Sequence, residues 1–440
     1  MTPCTGLLTD HYELTMLDAA IADGTAGAPA TFELFGRGLP SGRGFGVVAG
    51  TARALDALES FRFDEQALQF LARNRIVSDA ALDYLARYRF SGTIRGVPEG
   101  GLYFPFTPLV QVDGTFAECL VLETVLLSVY NFDSAVASAA ARMVHAAGGR
   151  SIVEMGSRRT HELAAVASAR AAYLVGAAAT SNLEAGREYG IPTTGTVAHA
   201  FILAHSSEAD AFRAQLAAQG PDTTYLVDTY EIEQGIRTAV DIVGTGIGAI
   251  RIDSGDPRIE SRRARALLDE LGATKTRIVY SGDLDEYRIA ALADSPIDAF
   301  GVGTRLVTGS GHPTCNFVYK LVAIEGRGVA KLSADKETIA HAKNPQRGIT
   351  AEGRLAVEVL GPGGSELEMP ASLKVAELIP AHEVLVQDGE RLNRVGLNES
   401  RAFHRSQIEA LPEELLANDT MGHTLPTLLV DDSGRISALD

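Results

Sequence analysis

Cysteine is scarce in this chain. Cys4, Cys119 and Cys315 are the three in 440 residues, odd in number and far apart, and none lies in a CxxC or Cys/His cluster. That excludes a disulfide framework and a structural zinc site, and fits reduced thiols. Basic charge is also short. Lys and Arg number 39 against 56 Asp and Glu, a net charge of −17. Nucleic acid is therefore a poor general partner. An anionic small molecule would have to meet a local cationic patch, against the overall field. Long apolar runs are missing too. Leu120–Val129 and Ala171–Ala179 fall below a bilayer span, and Glu123 interrupts the first. The opening MTPCTGLLTDHYEL lacks the basic and apolar regions of a signal peptide. The expectation is a cytoplasmic protein with no membrane partner. A P-loop and a solenoid repeat are also absent.

What is present is a hydrophobic fraction of 46%, ample for a large core, in a length that suits two or three domains. Seven short apolar runs alternate with helical patterns: Ser151–Met155, Ala172–Ala179, Thr193–Phe201, Thr224–Asp228, Gly248–Ile252, Thr276–Tyr280 and Ile297–Val302. The helical patterns include Arg159–Arg170, Ser207–Gln219, Pro257–Leu271 and Leu284–Asp294. Such alternation predicts a parallel sheet covered by helices. Seven strands suggest an irregular seven-stranded α/β barrel over residues 121–329. Residues 1–120 and 330–440 carry short alternating stretches between Gly- and Pro-rich turns, and read as one α+β domain built from both chain ends.

The strand ends carry the chemistry. Ile250-Arg251-Ile252-Asp253-Ser254-Gly255-Asp256-Pro257 runs from an apolar strand into a cation, carboxylates, a hydroxyl and a glycine. The C-terminal end of a parallel strand is where ligand sites are built. Arg251 could fork onto a carboxylate or phosphate. Asp253 could bond sugar hydroxyls or a metal ion, and Gly255 could admit a close backbone approach. Other strands lead to Arg158 and Arg159, to Thr180, Ser181 and Asn182, to Asp228, to Asp283, and to Gly303 and Thr304. A lone histidine is more often a satisfied core residue than a reactive one. His199 is weighed higher because Asp228 stands at the next strand end, where a carboxylate could fix the ring's tautomer. Cations at 158 and 159 oppose a helix dipole, and a bound anion would relieve the conflict. Gly301–Arg305 is a weak phosphate-cradle signal taken alone. Gly244-Thr245-Gly246-Ile247-Gly248 precedes its strand, so it is a turn and not a dinucleotide fingerprint. Tyr12 reads locally as a packed surface aromatic.

Taken in order, TDHYELTM (Thr9–Met16), MGSRR (Met155–Arg159), GTVAHA (Gly195–Ala200), LVDTY (Leu226–Tyr230), IRIDSGD (Ile250–Asp256), SGDLD (Ser281–Asp285) and GVGTRLVT (Gly301–Thr308) are specific together. The chain resembles nicotinate phosphoribosyltransferases, enzymes of NAD salvage, over most of its length. The resemblance implies the type II phosphoribosyltransferase fold. It implies synthesis of nicotinate mononucleotide from nicotinate and phosphoribosyl pyrophosphate with magnesium, coupled to ATP hydrolysis in the manner of a ligase. His199 would be the transient phosphohistidine and Asp228 its partner. Arg251 would hold nicotinate or the product phosphate. Asp253 and Asp283 would bond the ribose or help to hold magnesium. Arg158 would meet the substrate's charges, Thr180 and Ser181 would flank the substrate, and Gly303 and Thr304 would line the 5′-phosphate. Arg37 and Lys336 would reach the pyrophosphate. Tyr12 would stack on the pyridine ring from a second subunit, implying a homodimer with shared sites. Two segments depart from the family pattern: Glu231-Ile232 after LVDTY, and the loop Lys331–Arg347. Nicotinamide as the substrate is the nearest rival reading. Thr180-Ser181-Asn182 places no carboxylate after the second strand, which favours the acid. An aldolase-like barrel is disfavoured, because none of the strand ends carries a lysine. A non-catalytic sensor is disfavoured by the intact His199 and Asp228.

Overall fold

The computed structural model describes residues 4–331, 339–362, 369–420, 422–431 and 433–439. Its contacts divide the chain into two compact units. The first joins residues 1–138 to 314–440, and the second spans 139–313. The boundaries thus lie inside the expected 121–329. The reason is strand pairing: Val318–Ile324 lies antiparallel to Pro29–Phe35 and so belongs with the N-terminal segment.

In the first unit, a seven-stranded sheet draws on both ends of the chain. Pro29–Phe35 lies between Val318–Ile324 and Pro108–Thr115, and Glu383–Gln387 pairs with Thr93–Gly96. A five-stranded sheet is made from Gln346–Thr350, Leu355–Leu360, Val375–Pro380, Thr427–Val430 and Ile436–Leu439. Leu34, Leu71, Leu85, Val112, Leu122 and Leu385 are buried in one core, with Phe32 stacked on Tyr319 at 4.9 Å. One charge is locked into this apolar setting. Glu33, fully buried, pairs with Lys343 Nζ at 2.6 Å and accepts from the Lys343 N–H at 2.8 Å and from Gln111 at 3.2 Å. Burial pushes the Glu33 carboxyl up, and Lys343 opposes that shift.

The helix Glu123–Ala146 follows the short helix Phe116–Leu120. By length and composition the stretch Phe116–Ala146 is apolar enough to cross a membrane, although the shorter runs within it suggested otherwise. Tyr130, Ala137, Ala140 and Met143 are buried, as in the core helix of a globular fold.

The second unit holds the parallel sheet. Its strands are β1 (Ser151–Glu154), β2 (Ala179–Thr180), β3 (Thr224–Leu226), β4 (Ala249–Ile252), β5 (Arg277–Tyr280) and β6 (Ala299–Val302). They lie in the order β2-β1-β6-β5-β4-β3. Six strands therefore replace the seven expected. Thr193 makes a single parallel bridge to Thr180, and His199–Leu203 is helical. Gly195 interrupts the expected strand, since glycine gains little from extension. The run Ala172–Ala179 is mostly not a strand either. Its first residues finish the helix Glu162–Leu174, in keeping with alanine's helix propensity. Pro257 does open its helix as expected, with Asp256 as N-cap accepting from Arg258 and Ile259.

The Glu33–Lys343 pair sets a stability test. Lys343→Met should destabilise the protein by roughly 3–5 kcal/mol, because it strands a buried carboxylate. Adding Glu33→Gln should restore most of that loss. Urea denaturation of the single and double variants measures both.

Candidate active site

Parallel strands all end on one side, so each strand of the second unit delivers its last residues to the same edge. At the end of β3, Asp228 has a fully buried side chain. Its Oδ2 accepts from the Asp253 N–H at 2.7 Å and from the Ser254 hydroxyl at 2.8 Å. Its Oδ1 is buried without a hydrogen-bond partner. His199 opens the helix His199–Leu203 and is 41% exposed, so one face of the ring is open. Its Nε2 lies 4.0 Å from Asp228 Oδ1 and 3.9 Å from Asp253 Oδ2, and its Nδ1 lies 3.2 Å from Thr229 Oγ1. Two carboxylates thus flank one ring nitrogen, and a hydroxyl meets the other. The expected His199–Asp228 pair is brought together, but through a helix start and at ion-pair range. The hydrogen bond that would fix the tautomer is supplied from the Thr229 side.

Arg251, on β4, is spread over three partners. Nε donates to Ser281 Oγ at 2.8 Å, Nη1 to Thr196 Oγ1 at 3.1 Å, and Nη2 to Asp253 Oδ2 at 3.3 Å. Ser281 in turn donates to Asp253 Oδ1 at 3.0 Å. Both oxygens of Asp253 are therefore engaged by protein donors. Asp283 is exposed at a positive φ of 41°, and its carbonyl accepts from Arg288 Nη1 at 2.8 Å. Among the described residues, no group of three or more His, Cys, Asp or Glu is placed to hold a metal ion.

A second cluster lies at the ends of β1 and β2. Glu154 is fully buried; its carboxylate accepts from the Gly156 N–H and, at 2.6 Å, from the Thr180 hydroxyl. Burial pushes this carboxyl up, while the two donors pull it down. Thr180 is itself buried, and its hydroxyl also accepts from the Asn182 N–H at 3.0 Å. Ser181 is exposed. Asn182 reaches Ser157 Oγ at 3.0 Å. A side chain at Gly156 would lie 2.1 Å from Val307, and one at Gly303 would lie 3.3 Å from the Met155 carbonyl. The loops after β1 and β6 are packed this closely.

Residues 7–131 match the nicotinate phosphoribosyltransferase N-terminal domain, and residues 150–360 match the nicotinate phosphoribosyltransferase family. The chain belongs to the nicotinate phosphoribosyltransferase family. It is 51% identical over 421 residues to nicotinate phosphoribosyltransferase pncB1 of Mycobacterium tuberculosis, covering 93% of this chain and 92% of that one. It is 38% identical over 360 residues to the nicotinate phosphoribosyltransferase of Bacillus subtilis, covering 80% and 72%. The crystal structure of human nicotinic acid phosphoribosyltransferase is similar at a TM-score of 0.82 and 25% identity, over 96% of this chain and 97% of that one.

Not every residue expected from the family motifs joins these clusters. Arg158 is exposed in a turn; the helix begins only at Glu162, so the expected opposition to its dipole is relaxed. Gly303 and Thr304 stand at the end of β6. Gly255, at φ +79°, serves the turn into the next helix, and its carbonyl accepts from the Tyr280 hydroxyl at 2.8 Å. Tyr12 and Arg37 belong to the first unit. Tyr12 is 45% exposed and bonds Glu123; burial and that carboxylate push its hydroxyl pKa up. Arg37 lies over the Phe35 ring at 5.9 Å. Lys336 lies outside the described residues. Residues missed from the sequence include Glu154, Thr196, Thr229 and Ser281. Glu154 left one signal, a carboxylate ending an apolar strand two residues before a glycine.

Glu154→Ala should leave the Gly156 N–H and the Thr180 hydroxyl without an acceptor. The expected loss is roughly 1–3 kcal/mol for each stranded group, read from the denaturation midpoint.

Proposed function

We propose that this chain transfers the phosphoribosyl group of phosphoribosyl pyrophosphate to the ring nitrogen of nicotinate, releasing pyrophosphate. The observation that carries the reading is the His199–Asp228–Asp253–Arg251 constellation at one sheet edge of a chain from this family. Arg251 is the cation for the anionic ring substrate or the product phosphate. It would exchange protein hydroxyls for a stronger, charge-assisted pair. Asp253 faces the ribose. Gly303 and Thr304 line its 5′-phosphate, and Arg158 and Ser181 flank the substrate. Arg37 and Lys336 reach toward the pyrophosphate. Asp283, which is exposed, and Asp253 would help to hold the magnesium of the substrate complex, whose charge would neutralise the departing pyrophosphate. The anomeric carbon loses pyrophosphate through an oxocarbenium-like state. The nicotinate nitrogen then forms the new bond from the opposite face. The protein's task is positioning and charge neutralisation.

The proposal includes ATP coupling. A ring nitrogen of His199 takes the γ-phosphoryl group and ADP leaves; water later removes the phosphoryl group as phosphate. Asp228 and Asp253, near Nε2, support the charged ring. It also includes a cytoplasmic homodimer in which exposed Tyr12 serves the neighbouring copy's site. Nicotinate is preferred over nicotinamide because Ser181 and Asn182, and no carboxylate, follow β2.

The deciding assay gives the enzyme phosphoribosyl pyrophosphate, magnesium and ATP, with nicotinate or nicotinamide in parallel. Nicotinate mononucleotide and ADP should form together. Turnover of nicotinamide alone would overturn the substrate assignment. His199→Ala should keep slow transfer and lose ATP stimulation; full stimulation in that variant would sink the phosphohistidine role. Arg251→Lys, which cannot reproduce a fork, should raise KM for nicotinate roughly tenfold or more.

A further inference from the structure

The segment after β6 runs on past Gly303 and Thr304 into Gly309-Ser310-Gly311, where φ is 62°, 55° and 92° in turn. Glycine enters the left-handed region freely, but a residue with a side chain loses roughly 1–2 kcal/mol there. Ser310, at ψ 43°, is the member of the three that bears one. Its hydroxyl donates to Glu286 Oε2 at 2.5 Å. Glu286 opens the helix Glu286–Ala291 and is 1% exposed. Its Oε1 accepts from Arg142 Nε at 3.3 Å. Arg142 is buried as well; its Nη2 donates to the Tyr287 hydroxyl at 3.3 Å, and its guanidinium lies over the Tyr287 ring at 5.7 Å.

A serine in a turn is ordinarily a satisfied surface residue. Here its acceptor is a buried carboxylate whose charge is met by a buried guanidinium, and hydrogen bonds to ionised groups are the stronger kind. The constraint also travels back along the chain. The Thr308 hydroxyl donates to the Thr304 carbonyl at 2.8 Å, the Thr308 N–H to the same carbonyl at 3.1 Å, and the Gly311 N–H to the Thr308 carbonyl at 3.2 Å. Thr304 to Gly311 is thus one hydrogen-bonded run with Ser310 in its last turn. Within it, Val307 lies against Gly156, where an added Cβ would come within 2.1 Å. All of these residues belong to the second unit. Neither Glu286 nor Arg142 has a part in the transfer chemistry.

We propose that Glu286 is a positioning residue for the phosphate end of the site. With Arg142 balancing its charge, it clamps Ser310 in the left-handed region and so fixes the run back to Gly303 and Thr304, which line the 5′-phosphate. Glu286 touches no substrate atom. Its effect passes through Ser310 and Thr308. A turn set before the substrate arrives spares the binding step the ordering that a loose loop would need. The kinetic arm of the test rests on the phosphoribosyl-transfer reading; the exchange arm does not.

Glu286→Gln would strand the buried Arg142 charge, so the clamp is opened at Ser310 instead. In the first arm, amide hydrogen exchange of the Thr304–Gly311 stretch is followed by mass spectrometry in the full chain. Ser310→Ala should exchange roughly tenfold faster there than the wild type, because a bond to a charged acceptor is lost. Unchanged exchange would overturn the proposal, whatever the enzyme's substrate. In the second arm, Ser310→Ala should raise KM for phosphoribosyl pyrophosphate about fivefold or more and leave KM for nicotinate within about twofold of the wild type. Ser310→Gly, which escapes the left-handed penalty, should recover most of that loss. An unmoved KM for phosphoribosyl pyrophosphate, or equal rises for both substrates, would overturn the proposal too. A wild type without phosphoribosyl transfer would sink the transfer reading, and the exchange arm would still judge the clamp.

Discussion

The site depends on how Asp228 divides its two oxygens. One is tied to the Asp253 N–H and the Ser254 hydroxyl, so the end of β3 is fastened to the loop after β4. The other is left without a donor and directed toward His199. A carboxylate with both oxygens satisfied would be a strut, and one with neither would be unaffordable inside a protein. The half-satisfied state fixes geometry and keeps charge in reserve. Arg251 follows the opposite strategy. Each nitrogen of its guanidinium meets one protein partner, so it is held in place and an anion has only hydroxyls and one carboxylate to displace.

Glu33, Glu154 and Asp228 follow one rule at three depths. Each is a buried carboxylate bridging segments distant in sequence. Glu33 is compensated by a full charge, Lys343. Glu154 is compensated by a backbone N–H and a hydroxyl. Asp228 is compensated on one side only.

Much of this was legible in the sequence. The β/α alternation, the capped helix at Pro257 and the polar strand ends came directly from periodicity and end signals, because those are local effects. The family motifs put His199, Asp228, Arg251 and Asp253 on the same list, and the fold puts them at one edge. What the sequence hid was non-local. The alanine run before Thr180 reads as a strand by hydrophobicity, yet its first residues finish a helix and its last enters the sheet. His199 looked like a strand end, yet it opens the helix His199–Leu203. Both oxygens of Asp253 are consumed by partners 2 and 28 residues away, which no motif spacing announces. The membership of residues 314–329 in the first unit depends on a pairing with Pro29–Phe35, far earlier in the chain.

The contact at Gly156 also bears on the chain's history. A single methyl there would sit inside Val307, while the Glu154 carboxylate presses from a second direction at 2.9 Å and the Gly303 carbonyl from a third at 3.1 Å. Relief would require two segments, drawn from opposite ends of the second unit's sequence, to change together. Such a position offers drift no single-step exit. The floor between the first and last strand ends is thus frozen as a block, and new specificities would have to arise in the exposed rim, where Arg158, Ser181 and Thr304 stand free to vary one at a time.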